Sequence, residues 1–214
     1  MIRFVGLCLF LLVAACSRPL TPTEERFAND LFGPSLDTSK VRVAQGLGVT
    51  PLYRTVPKAQ ATVVQGTDKA CVRTPQPTRS TNPPQAFAYK NRLHFDTGLY
   101  SSDLALVWPE FLRFPHAIIL AHELTHAWQW QNREMTGYTP WRAVQESWQM
   151  VDPYFSTAED APTFLLFGYE QQAAIVEDYV CFAVANPNHP RRYELREILD
   201  PVLPMDRFDA AIGG

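Results

Sequence analysis

LAHELTHAWQWQN, residues 120–132, sets His122 and His126 four positions apart with Glu123 directly after the first. On an α-helix, residues four apart lie on one face, one turn above the other, so the two imidazoles can converge on a single point. Neutral imidazole nitrogen binds Zn²⁺ readily, and the ion keeps an open position for water when the protein supplies only three ligands. A glutamate next to the first histidine would lie beside that water rather than on the metal, placed to take its proton. Shuffling the chain's five histidines and eleven glutamates would produce this H-E-x-x-H spacing roughly once in 200 trials. Ile118, Ile119, Leu120, Leu124, Ala127 and Trp128 make the surrounding helix apolar on most sides, as a buried helix is. Two histidines and a carboxylate left unpartnered in such a core would be costly. A bound metal removes that cost.

Working outward, Phe114-Pro115 opens this helix, since proline is tolerated in the first turn, and Gly137 closes it about 20 residues later. A second helix is expected from about 168 to 185, in GYEQQAAIVEDYVCFAVA, ended by Asn186-Pro187. A third, RRYELREILD at 191–200, is short and amphipathic. Upstream, AFAYKNRLHFD at 86–96 alternates as a strand or hairpin does, and TGLYSSDLALVWPEF at 97–111 reads as a loop. VRVAQGLGVTPLYRTV at 41–56 and ATVVQG at 61–66 read as short strands or extended segments. TPQPTRSTNPPQ at 74–85, with four prolines, is a loop.

The rest of the metal's ligands must come from elsewhere. Glu123-x-x-His126 is also half of a carboxylate di-iron pattern, which needs a second Glu-x-x-His on another helix. Asn91, Arg113 and Asn186 stand three residues before His94, His116 and His189, so a mononuclear centre is expected. No third histidine follows at the H-E-x-x-H-x-x-G-x-x-H spacing, and His189 lies in a proline-flanked turn. In the second helix Glu170 and Glu177 share a face, with Ala173 and Ala174 between them, small enough to let two helices approach closely. Either glutamate can close a His/His/Glu site.

With these residues the chain resembles the zincin-like metallopeptidases of the glutamate-ligand type, the gluzincins, and especially their small single-domain bacterial members. There LAHELTHxxQQ follows a strand and a loop, as LAHELTHAWQWQ here follows RLHF and TGLYSSDLALVWPEF. The resemblance runs over residues 86–130 and resumes at 169–178; it leaves out the chain before Cys71 and the C-terminal stretch. It implies an α+β fold: a small zincin-like domain with an active-site helix carrying HExxH, a second helix carrying the third ligand, and a short β-sheet. It implies zinc held by His122, His126 and Glu170, Glu123 as general base, and a peptide or protein substrate, cell-wall peptide included. Tyr138, Tyr154, Tyr169 and His94 are the candidates for a donor to the developing oxyanion. The chain departs from the family at Ala174, where several gluzincins carry an aspartate that orients the first histidine. Glu177 or Asp178 is then expected to give that support, or Glu177 to replace Glu170 as ligand. The departure also motivates an alternative, a catalytically weak or inactive zinc-binding lipoprotein acting as a binding or scaffold module. Trp128, Trp130, Trp141 and Trp148 are expected to serve packing.

At the N-terminus, Arg3 precedes an apolar run at 4–15 that is too short to span a bilayer and fits a secretory signal. Val13-Ala14-Ala15-Cys16 resembles a bacterial lipobox, which implies cleavage before Cys16 and lipidation of its thiol. Ser17 after the cysteine implies the outer membrane, facing the periplasm. The expected division is a lipoprotein signal peptide at 1–15, a lipidated tether at 16–40 with one docking helix at 24–32, and the metallopeptidase domain at 41–214. A chain of 214 residues that is 46% hydrophobic supports a single core of this kind. Cys71 and Cys181 are then the only thiols in the folded part; an oxidising compartment invites a disulfide between them, and two buried free thiols in a small core would read the same from sequence. Such a bridge closes a loop of about 110 residues and contributes about 2–4 kcal/mol. A net charge of -3, with no basic cluster interleaved with aromatics, argues against a nucleic-acid partner.

Overall fold

The computed structural model of the chain describes residues 17–47, 71–80 and 83–213. Among them four short strands form one sheet in the order β1-β2-β4-β3: β1 (Ser17–Pro19), β2 (Arg42–Gln45), β3 (Ala86–Tyr89) and β4 (Arg92–Phe95). β3 and β4 are the hairpin expected at 86–96, turned through Lys90 in the left-handed region at φ 58°. β2 runs parallel to β4 with Val43 opposite Leu93, and β1 runs antiparallel to β2 with Ser17 opposite Ala44. Val43, Leu93 and Phe95 are fully buried, so one face of the sheet packs on the helices. The extended segments expected from 48 to 66 lie outside the described residues, as do the signal peptide at 1–15 and Cys16.

The helices are α1 (Pro22–Phe32), α2 (His116–Gln131), α3 (Arg133–Thr136), α4 (Pro140–Gln149), α5 (Tyr169–Ala185), α6 (Pro190–Leu199) and α7 (Met205–Ala211). The protein is therefore of mixed α+β class. α2 and α5 pack together at its centre, with Ala121, Leu124, Ala173, Ala174 and Val176 buried. The helix expected to run on to Gly137 breaks at Asn132, whose side chain donates to Trp128 O at 2.9 Å and to Ser35 O at 2.8 Å. These bonds satisfy a terminal carbonyl and tie the break to the chain after α1. Gly137 then ends α3 in the left-handed conformation, at φ 68°. No helix among the described residues is long and apolar enough to cross a membrane.

Residues 17–40 are not a tether but part of the domain. Thr21 and Glu24 form a capping box at the start of α1, with Pro22 in its first turn. Glu24 is fully buried; Arg18 grips its carboxylate at 2.6 and 2.8 Å, and it accepts from Thr21 N and Leu104 N at 2.9 and 2.8 Å. Phe27, Ala28, Leu31 and Phe32 are wholly enclosed, and Trp108 Nε1 donates to Asp30 at 2.8 Å. A segment that buries this much apolar surface is held by the core rather than hung from it.

The tryptophans divide. Trp128 is buried and donates to Ser35 Oγ at 3.0 Å, and Trp130 lies between the Lys90 and Arg133 cations at 5.1 and 4.7 Å. Trp141 and Trp148, expected to pack, are 65% and 63% exposed and meet only edge to face on α4. That helix turns Ala143 into the protein, which leaves its two tryptophans on the outer side. Cys71 and Cys181 form a disulfide, Cα–Cα 5.5 Å, joining the irregular segment 71–80 to α5.

Candidate metal centre

Helix α2 presents His122 and His126 one turn apart, and α5 brings Glu170 across to both from its first turn. The Nε2 atoms of His122 and His126 each lie 3.2 Å from the same oxygen, Glu170 Oε2. The three residues offer ligand atoms all within 4.8 Å of one another, and the group could hold a metal ion. Donors bound to one tetrahedral zinc at about 2.0–2.1 Å stand about 3.3–3.4 Å apart, close to the two separations from Glu170. Both histidines are buried, and the Glu170 side chain remains 16% exposed, so the convergence point borders solvent.

The other ring nitrogens are also engaged. His122 Nδ1 lies 3.0 Å from Glu177 Oε2, and Arg73 pairs with Glu177 at 3.1 Å and with Asp178 at 2.9 Å. His126 Nδ1 lies 2.9 Å from Gln129 Oε1. Glu177 thus faces the side of His122 turned away from the convergence point, while Glu170 faces both Nε2 atoms. Asp178 is turned to Arg73. The support that Ala174 cannot give His122 is placed one turn further along, on Glu177.

Electrostatics fit a cation here. Burial opposes charge on His122, but the Glu170 and Glu177 carboxylates outweigh it and raise the imidazole to about 10 in the metal-free protein. Burial opposes charge on Glu170 too, but His126 and His122 outweigh it and hold its carboxyl far below the usual carboxylate range. Glu170 raises His126 likewise against its burial, so the space between α2 and α5 favours positive charge. Glu123 lies beside this group and is 3% exposed, with Oε2 lacking any partner among the described residues. Burial raises its carboxyl to about 7, against the pull of the two histidines. An orphaned carboxylate oxygen beside three converging donors is what a base for a metal-site water requires.

The surroundings come from several elements. Glu146 of α4 stands by the α5 N-terminus with its Oε1 unpartnered among the described residues; burial raises its carboxyl against the pull of the backbone N–H groups of Glu170 and Tyr169. A Cβ at Gly168 would collide with that carboxylate. Tyr154 stands with its ring 5.7 Å from that of His122 and is 37% exposed, whereas Tyr138, 6.1 Å from His126, is buried. Tyr169 reaches Thr136 O at 3.5 Å, and His94 is stacked on Phe87 with Nδ1 at 3.1 Å from Gly46 O. Gln129, Arg73, Glu146 and Gly168 were not anticipated. Only Gln129 left a sequence signal, its i+3 position on the face of His126. Comparison with protein-family models, with curated proteins and with solved structures gave no match.

Proposed function

We propose that the chain is a zinc-dependent hydrolase of peptide bonds, in proteins or in cell-wall peptide, with His122, His126 and Glu170 as ligands and Glu123 as base. The observation that carries the reading is the convergence of both Nε2 atoms on Glu170 Oε2 beside the unpartnered Glu123 carboxylate. The gluzincin resemblance over 86–130 and 169–178, which is carried by the same residues, agrees with it. Two imidazoles and a carboxylate, which leave the fourth position of a tetrahedral ion to water, suit catalytic zinc. Zinc bound there supplies a Lewis acid that polarises a carbonyl and makes water more acidic.

The protein's own residues do the rest. Glu123, with its proton affinity raised by burial to about 7, takes a proton from the attacking water and returns it to the leaving amine. Tyr154, the partly exposed phenol next to His122, stays protonated because burial and the neighbouring carboxylates disfavour its ionisation, and it donates to the oxyanion. Glu177 orients His122. A scaffold without catalysis has no use for a buried carboxylate with a bare oxygen beside the ligands, which favours the enzyme over the alternative. The lipobox resemblance supports a mature chain on the outer membrane, facing the periplasm, anchored by lipid on Cys16.

Elemental analysis of the purified mature chain should find equimolar zinc. Glu123→Gln should keep that zinc and slow peptide cleavage by about 10²- to 10⁴-fold. Undiminished cleavage by this variant would overturn the mechanism. Unchanged zinc and unchanged cellular function together would favour the scaffold.

A further inference from the structure

We infer that Gln129 and Gln172 form an amide relay that fixes the tautomer of His126 and presents its Nε2 to the metal. This goes beyond the ligand set but rests on the metal-centre reading. Both glutamines are buried, at 0% and 1% exposure, so their amides must find partners inside the protein. Gln172 Nε2 donates to the backbone carbonyl of Phe167 at 2.8 Å. A carbonyl can only accept, so this bond orients the amide and turns Gln172 Oε1 towards Gln129. Gln129 Nε2 donates to that oxygen and to Tyr169 O, both at 3.0 Å, which leaves Gln129 Oε1 facing His126 Nδ1 at 2.9 Å. Flipping either amide would set oxygen against oxygen at a backbone carbonyl. His126 Nδ1 must therefore carry its proton, and in the neutral ring Nε2 holds a lone pair aimed at the convergence point.

Gln129 is thus a positioning residue, and the relay spans α2 and α5, the two helices that carry the ligands. It differs in kind from the support at His122, which comes from a carboxylate that Arg73 also holds. In Gln129→Glu a carboxylate oxygen still accepts from His126 Nδ1 but has no proton for Gln172 Oε1 or Tyr169 O. That variant separates orientation of the ring from stability of the helix pair.

The test measures zinc affinity by chelator competition, thermal stability, and exchange of the His126 Nδ1 proton by ¹⁵N-resolved NMR, in wild type, Gln129→Leu and Gln129→Glu. Gln129→Leu should weaken zinc about 10- to 100-fold and expose the Nδ1 proton to fast exchange. Gln129→Glu should lower the melting temperature yet retain most of the affinity and a protected Nδ1 proton. Wild-type affinity and a protected proton in Gln129→Leu would overturn the relay while leaving the centre standing. Equal loss of affinity in both variants would reduce Gln129 to a packing role and overturn it as well. If wild type binds no zinc, the ligand set fails, and the Nδ1 proton of the metal-free protein still decides the relay: protected in wild type and lost in Gln129→Leu, or not.

Discussion

Glu170 and Glu177 lie on one face of α5, and their roles differ in the ring nitrogen each one faces. Glu170 stands 3.2 Å from both Nε2 atoms, so on the proposed ligand set Glu170→Ala should lose zinc on gel filtration. Of the two histidines Glu177 meets only His122, at Nδ1 and 3.0 Å, so Glu177→Ala should retain zinc with affinity reduced about 10- to 100-fold, as chelator competition would show. Equal losses would mean that Glu177 is itself a ligand. The site's protons make a separate prediction. His122 is raised to about 10 in the metal-free protein, so its contribution to stability is full below the unfolded value of about 6.5 and is lost as pH rises towards 10. Glu170 is lowered, so its contribution is present above its unfolded value and is lost as pH falls into acid. Zinc competes with the imidazole proton. Calorimetric titrations near pH 7.5 in buffers of different ionisation enthalpy should therefore show net proton release on binding, and affinity should climb with pH. Proton-neutral binding would mean that the histidines are already neutral.

The junction of α4 with α5 places Glu170, because the Glu146 carboxylate stands by the α5 N-terminus and Gly168 leaves it room. Gly168→Ala should cost about 1–3 kcal/mol in denaturant unfolding by overpacking, and it should weaken zinc by shifting Glu170. Shortening the opposing side chain, in Gly168→Ala/Glu146→Ser, should recover part of the stability. Helix α1 yields a sharper contrast: deleting 17–32 from a mere tether would be silent, but here it removes Phe27, Leu31 and Phe32 from the core and should unfold the domain by circular dichroism. α2, α5 and the β3–β4 hairpin were legible because their periodicity and bounding prolines are local signals. α1 was readable as a helix from 24 to 32, yet nothing local shows that Arg18 meets Ser101 or that Asp30 meets Trp108. The same limit hid the exposed side of α4, since spacing shows which residues share a helix face and not what that face meets. At the centre, the two histidines and Glu123 were legible from spacing alone. The choice between Glu170 and Glu177 was not, because helical phase leaves both carboxylates on one side and only the packing of α5 on α2 separates their roles.

The described parts of the chain bring the His122, His126 and Glu170 group together between the two central helices, with the stapled segment beside it. The Cys71–Cys181 bridge fastens segment 71–80 to α5 and so keeps Arg73 on Glu177 and Asp178, at 3.1 and 2.9 Å. Replacing both cysteines by serine should cost about 2–4 kcal/mol in denaturant unfolding. It should also weaken zinc, since Glu177 loses the cation that holds it in place. Opening the bridge without any change in zinc affinity would show Arg73 to be independent of the staple. All of these expectations depend on an ion lying between α2 and α5. Anomalous scattering at the zinc edge from crystals of the mature protein tests that directly. The account predicts a peak bounded by His122 Nε2, His126 Nε2 and a Glu170 carboxylate oxygen; no peak there, or one bounded by Glu177 in place of Glu170, would contradict it.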